Sequence, residues 1–185
     1  MKGKKLTRSA SFLSLGALEC GWQRLYDFQA GILEHGKRYS RKDACRLLNW
    51  ENNQQSTMYG YKIDSATATC PIFITYNKTE TITSAVHYEE GFMNLSQIAW
   101  CSKSNRTLGS TEIQNLLSNS NRHHVFVKKS DAEGTDFFYL GEGRIHTPVE
   151  TTQNTQDGGK SPVVEMTIDL ASPVERALYD YFVSA

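Results

Sequence analysis

Apolar residues recur along this chain with two different periods, and the changes of period mark its elements. Trp22, Leu25, Tyr26, Ile32 and Leu33 fall at helical spacing and stop at His35-Gly36, which predicts an amphipathic helix over residues 22–34 with a glycine at its C-terminal end. Ser40, followed by Asp43, has the form of a capping box: the hydroxyl accepts from a free backbone N–H and the carboxylate favours the positive helix end. Ala44, Leu47 and Leu48 then mark the buried face of a short helix ending near Trp50. Beyond the polar stretch 51–56, β-favouring residues at Thr57–Ile63 and Pro71–Tyr76 read as a hairpin about the turn-like Asp64-Ser65.

Further on, Ile98–Cys101, Val125–Lys128 and Phe137–Leu140 read as short strands, and Ser110 caps a helix whose Ile113, Leu116 and Leu117 share one face. Val164, Met166, Ile168 and Leu170 alternate with Glu165, Thr167 and Asp169, the pattern of a half-buried strand. Ser172-Pro-Val-Glu175 opens a last helix that buries Val174, Leu178, Tyr181 and Phe182. Thr147–Lys160 is rich in Thr, Gln, Asn and Gly with no apolar period and reads as a loop. Many short strands with a few helices, and no repeat or internal boundary, predict an α+β fold around a curved, barrel-like sheet.

At 185 residues, 39 % apolar and 22 % charged, the chain suits one globular domain, and it has no apolar run long enough to span a membrane. The expectation is a basic leading arm or linker over residues 1–20 and a single domain over 21–185, in a cytoplasmic setting. Residues 1–20 place four cations before an apolar stretch, as a signal peptide does, but three serines and Glu19 spoil that pattern. Net charge is zero but segregated. Residues 1–46 hold ten Lys/Arg against four Asp/Glu, residues 47–129 seven against six, and residues 130–185 three against ten. A basic leading third can meet phosphates while the acidic end faces elsewhere.

The sequence argues against several chemistries. Cys20, Cys45, Cys70 and Cys101 form no C-x-x-C pair, and the five histidines form no metal-ligand spacing, so neither a zinc site nor any other cofactor is expected. The histidines read as surface or strand-end residues. Gly158-Gly-Lys-Ser161 lacks the earlier glycine of a phosphate-binding loop and reads as a turn. His123-His-Val-Phe-Val-Lys128 does not fit the H-x-K-x4-D spacing of a phospholipase-D-type nuclease. Catalysis by this chain is not expected. What stands out instead is aromatic residues next to cations at element ends, as in Tyr59-Gly-Tyr-Lys62 and Trp100-Cys-Ser-Lys-Ser-Asn-Arg106. Bases stack on such rings while the cations hold phosphates.

Five stretches carry a resemblance: Tyr39-Ser-Arg-Lys-Asp-Ala-Cys-Arg-Leu-Leu-Asn-Trp50, Thr57-Met-Tyr-Gly-Tyr-Lys62, Cys70-Pro-Ile-Phe-Ile-Thr-Tyr76, Ile98-Ala-Trp-Cys-Ser-Lys-Ser-Asn-Arg-Thr107, and Val125-Phe-Val-Lys-Lys-Ser-Asp-Ala-Glu-Gly-Thr-Asp-Phe-Phe-Tyr-Leu-Gly141. Together they resemble the C-terminal domain family of bacterial helicases that often carry a phospholipase-D-like nuclease, over roughly residues 20–183. Such proteins look like modification-dependent restriction enzymes. The resemblance implies a SET- and RING-associated (SRA-like), PUA-related barrel that reads 5-methyl- or 5-hydroxymethylcytosine in double-stranded DNA by base flipping. Helicase and nuclease domains of the same or a partner chain would then be its companions.

That task needs aromatic faces about the base, a carboxylate for the exocyclic amine and an apolar recess for the methyl group. Tyr59 and Tyr61, read as alternating along one strand to the same side, are the first candidates for the faces, with Trp100 nearby; Glu89, Asp131 and Asp64 are the candidate carboxylates. Lys62, Lys103, Arg106, Lys128 and Lys129 form one group of phosphate candidates, and Arg38, Arg41 and Lys42 a second. The alternative is a regulatory module that docks on a helicase and touches nucleic acid only nonspecifically, marked by an exposed apolar patch.

Overall fold

The computed structural model describes residues 32–77, 91–155 and 158–184. The expected helix over residues 22–34 lies outside these apart from residues 32–34, which are not helical. The short strand β1 (Arg38–Tyr39) leads into helix α1 (Arg41–Leu47), where the capping box forms as expected: Ser40 Oγ accepts from Asp43 N at 3.1 Å and Asp43 Oδ2 accepts from Ser40 N at 3.1 Å. Strands β2 (Thr69–Asn77), β3 (Gly91–Asn94), β4 (Gln97–Cys101), β5 (Arg122–Ser130), β6 (Phe137–Asn154) and β7 (Lys160–Leu170) follow, with α2 (Thr111–Leu117) before β5 and α3 (Arg176–Val183) at the end.

One mixed sheet takes the order β2-β5-β6-β7-β4-β3, with β1 added along β6. Only β2 and β5 run parallel. The two end strands curl towards each other. The Tyr76 and Phe92 rings lie 6.1 Å apart, and a Cβ on Gly91 would fall 2.9 Å from the Tyr76 ring, so glycine is what lets β3 approach β2. The result is a half-barrel.

Both faces of the curled sheet are covered, because successive side chains of a strand point to opposite sides. On one face Ile72, Val125, Val127, Ile145 and Ile168 pack with Ile113 and Leu116 of α2 and Phe182 of α3. On the other, Phe73, Phe126, Phe137 and Tyr139 pack with Ala44 of α1, with Leu48 at its C-terminal end, and with Trp50 and Met58.

Several expectations are corrected. Residues 57–63 do not form a strand: Tyr61 N donates to Tyr59 O at 2.8 Å across Gly60, whose φ is +71°, and this part of the chain pairs with β2 through the isolated bridges Tyr61↔Ile72 and Asp64↔Thr69. Thr147–Lys160 is largely strand, the distal arm of a long β6–β7 hairpin with pairs from Val149↔Glu165 to Asn154↔Lys160. Both faces of much of this arm meet water, so it shows no apolar period. Ser110 stands at the N-terminus of α2, but its hydroxyl accepts from Thr107 N instead of capping the helix. Helix α3 starts after Glu175, because Val174 N is still bonded to Leu95 O at 2.8 Å. It buries Phe182 and leaves Tyr181 exposed.

Candidate DNA-reading site

The structure divides the expected site residues into two groups on opposite faces of the sheet. The first gathers at the turn between β5 and β6. Strand β5 is continuous to Ser130, so Lys128 points with Phe126 towards α1, and Lys129 points the other way, where its Nζ bonds Ser184 Oγ at 3.0 Å. Residues Asp131–Glu133 form one 3-10 turn, closed by Gly134 at φ +88°. Lys128 Nζ donates to Gly134 O at 3.0 Å and meets Asp131 Oδ1 at 2.8 Å. It also lies 4.8 Å from the centre of the Phe137 ring.

Arg41, the first residue of α1, sets its guanidinium 4.9 Å from the same ring and 5.1 Å from that of Phe73. Burial lowers its pKa from the ordinary value and the Asp131 charge partly offsets this. Its Nε is buried without a hydrogen-bond partner among the described residues. Arg38 stands over Phe138 and meets Glu133 at 3.3 Å. Asp131, Lys128 and Arg41 therefore share one neighbourhood beside the rings of Phe73, Phe126 and Phe137, while Arg38, over Phe138, lies towards the opposite face. Asp131 is itself 66 % exposed and can reach a ligand.

The second group surrounds Tyr61 and Trp100. These rings are in edge-to-face contact at 5.1 Å and both are buried, so they are core and do not present a face to a base. Lys103 Nζ lies 4.0 Å from the centre of the Tyr61 ring and 2.8 Å from Glu112 Oε1, and Arg106 Nε donates to Glu112 Oε2. Burial alone would raise the Glu112 carboxyl, but the two cations outweigh it and hold the group below its ordinary range. Nothing in the sequence reading pointed to Glu112; its place in the first turn of a helix just after two cations was the available signal.

The remaining candidates are scattered. Tyr59 is 74 % exposed and faces away from buried Tyr61, since a turn and not a strand separates them. Lys62 Nζ donates to Thr57 Oγ1 at 2.8 Å, and Lys42 is exposed. Asp64 is a turn-former: its Oδ2 accepts from Thr67 N at 2.9 Å and from Thr67 Oγ1 at 2.7 Å. Glu89 lies outside the described residues.

A third feature escaped the sequence reading. Between His146 and Val149 the β6–β7 pairing slips, where Thr147, at φ +50°, precedes Pro148. An open cleft of about 590 Å³ lies at this bulge, lined in part by Arg144, Asn119 and Asp169. His146 Nε2 meets Asp169 Oδ2 at 2.9 Å, and Gln97 Nε2 donates to Asp169 Oδ1 at 2.8 Å. Those two bonds hold the Asp169 carboxyl below its ordinary range. Pro148 cannot donate to the ladder, which is why the pairing slips here. Among the described residues no cluster of three or more His, Cys, Asp or Glu is arranged to hold a metal, and no helix is long and apolar enough to cross a membrane.

This curled mixed sheet, covered by three short helices, is an SRA-like α+β fold. It is similar to the DNA modification-dependent restriction endonuclease AspBHI at 10 % identity and a TM-score of 0.53, covering 80 % of this chain and 44 % of that one. It is also similar to a structure of the sulfur binding domain and SRA domain of ScoMcrA complexed with phosphorothioated DNA, at 12 % identity and a TM-score of 0.51, covering 93 % of this chain and 51 % of that one. The chain thus spans about half the length of these solved structures, or less. No curated protein matches the sequence. The chain belongs to the family described as a domain of unknown function, DUF3427, which it matches over residues 33–182.

Proposed function

We propose that this domain reads double-stranded DNA carrying a modified cytosine, taken out of the duplex, and serves as the non-catalytic targeting module of a helicase-coupled restriction nuclease. The observation that carries the reading is the SRA-like fold, which the chain has in common with proteins whose names specify modified DNA. The group at the β5–β6 turn supplies the chemistry. Asp131 accepts from the cytosine amine and Lys128 orients that carboxylate, beside the buried rings of Phe73 and Phe137 on which the Arg41 guanidinium rests. Arg41 and Lys42, which form no ion pair with a carboxylate among the described residues, meet the phosphates. Among the described residues the exposed large apolar side chains are Ile32, Tyr59, Met93, Val149, Tyr181 and Val183, of which only the last two share an element, so they lend the docking-module reading little support.

The test is a fluorescence-anisotropy titration of the chain with matched duplexes carrying one cytosine, 5-methylcytosine or 5-hydroxymethylcytosine, at two salt concentrations. The expected result is a several-fold preference for a modified base that persists at the higher salt. Asp131→Asn should weaken binding of the preferred duplex about tenfold, within the range for one lost base contact. Equal, weak binding of all three duplexes by folded protein would overturn the reading.

A further inference from the structure

Lys103 and Arg106 have the composition of a phosphate site, yet both are already occupied. Glu112 gives one carboxylate oxygen to each cation, the arrangement in which two non-bridging oxygens of a phosphodiester would be held. All three side chains are within reach of solvent, with exposures of 29 %, 34 % and 26 % for Lys103, Arg106 and Glu112. The fork is also rigid. Ser102 and Val164 exchange two hydrogen bonds of 2.9 Å, Arg106 N donates to Pro162 O at 3.1 Å, and Asn105 N donates to Ser161 Oγ at 2.9 Å, so residues 102–106 run along β7 as a tied-down edge. The Tyr61 ring supports the Lys103 ammonium from beneath.

Position gives this arrangement its consequence. Tyr61 and Trp100 belong to one core and the rings under Arg41 to the other, and alternation along β2 sends Ile72 and Phe73 to opposite faces. A duplex lying across the fork is therefore not seated at the β5–β6 turn. It is held by charge alone, and that attraction is the same for every sequence.

We infer that Glu112 is a specificity-determining residue: its carboxylate fills the fork between Lys103 and Arg106 as a phosphate would, and so suppresses binding of unmodified DNA across this face. Specificity is a difference between affinities, and closing a site that any duplex could use raises it as surely as improving the cognate contact. The inference rests on the DNA-reading function above, and its test separates the two.

The experiment compares the full 185-residue chain with Glu112→Gln, using the plain and modified duplexes at several salt concentrations, with a thermal melt as the folding control. Freeing two cations should raise affinity for the plain duplex by about three- to tenfold and steepen the slope of log affinity against log salt by about one to two. The ratio of modified to plain binding should fall by a similar factor. In a second variant, with Lys103, Arg106 and Glu112 all changed to Gln, the fork loses only its one net positive charge, so affinity should stay within a few-fold of wild type and the slope should become shallower by less than one. An unchanged slope in folded Glu112→Gln, or a slope shallower by more than one in the triple variant, would overturn the inference; the triple variant decides it even where Glu112→Gln does not fold. A wild type without preference would overturn the modified-base reading and leave the plain-duplex comparison standing.

Discussion

His124 sits in the middle of the sheet with its Nδ1 3.0 Å from the Tyr139 hydroxyl and almost no exposure. Burial, reinforced by the Arg122 and His123 charges, lowers its pKa from 6.5 to about 4. Folded protein therefore keeps this ring neutral while unfolded chain takes up a proton. The unfolded state binds more protons between those two values, so stability falls as pH drops from 6.5 towards 4 and does not change further below both. Between pH 7 and pH 5 the contribution is about 2 kcal/mol. Urea midpoints at the two pH values should show a loss in wild type that His124→Gln reduces; an equal loss in both would contradict the assignment. The acids with lowered pKa, Asp43, Glu112 and Asp169, lose their contributions mostly below this window. The sequence suggested that this histidine lies at a strand end or on the surface. It is buried because β5 is covered on both faces, and a doubly covered strand carries no alternation from which burial can be read. Tyr59 and Tyr61 failed in the opposite sense: a period of two was read into a segment that a positive-φ glycine turns.

At the scale of elements, what the sequence made legible is what neighbouring residues decide. The capping box of α1 and the alternation in β7 both depend on side chains within a few positions of one another, and both formed, apart from Thr167, which is buried where the alternation put it on the wet face. The distal β6–β7 hairpin depends instead on backbone bonds to a distant partner, with polar side chains on both faces, so pattern alone gave a loop. Gly143 shows how closely these strands are fitted. It pairs with His123 on one side and Leu170 on the other, and a Cβ there would lie 2.6 Å from Ile168 Cγ2 and 3.2 Å from Asp169 O. Because one neighbour is backbone and the other a branched core side chain, relief requires the ladder to move. Gly143→Ala should cost about 1–3 kcal/mol, the range for overpacking a filled core, measured as a lower urea midpoint with an unchanged slope. A neutral result would mean that β6 has room to shift between its neighbours.

For the whole molecule, zero net charge conceals a division of labour among cations. Eight of the fourteen described pair with carboxylates: Lys37 with Glu34, Arg38 with Glu133, Arg46 with Asp43, Arg122 with Glu142, Lys128 with Asp131, Arg176 with Asp180, and Lys103 and Arg106 with Glu112. The sequence showed the basic leading third but could not show this pairing, since the partners are up to 95 positions apart. On the proposed function, a body with more than half of its described cations paired relies on base contacts for preference, while Lys2, Lys4, Lys5, Arg8 and Arg24, set against Glu19 and Asp27, leave a net positive charge on residues 1–31. We therefore expect a chain trimmed to residues 33–185 to bind plain and modified duplexes more weakly by a similar factor, with a salt slope shallower by about two to three. Its preference for the modified duplex should survive, because the β5–β6 turn is untouched. Anisotropy titrations of both lengths, with melts to check folding, decide the matter: loss of the preference itself would move base recognition into the leading segment and away from Asp131.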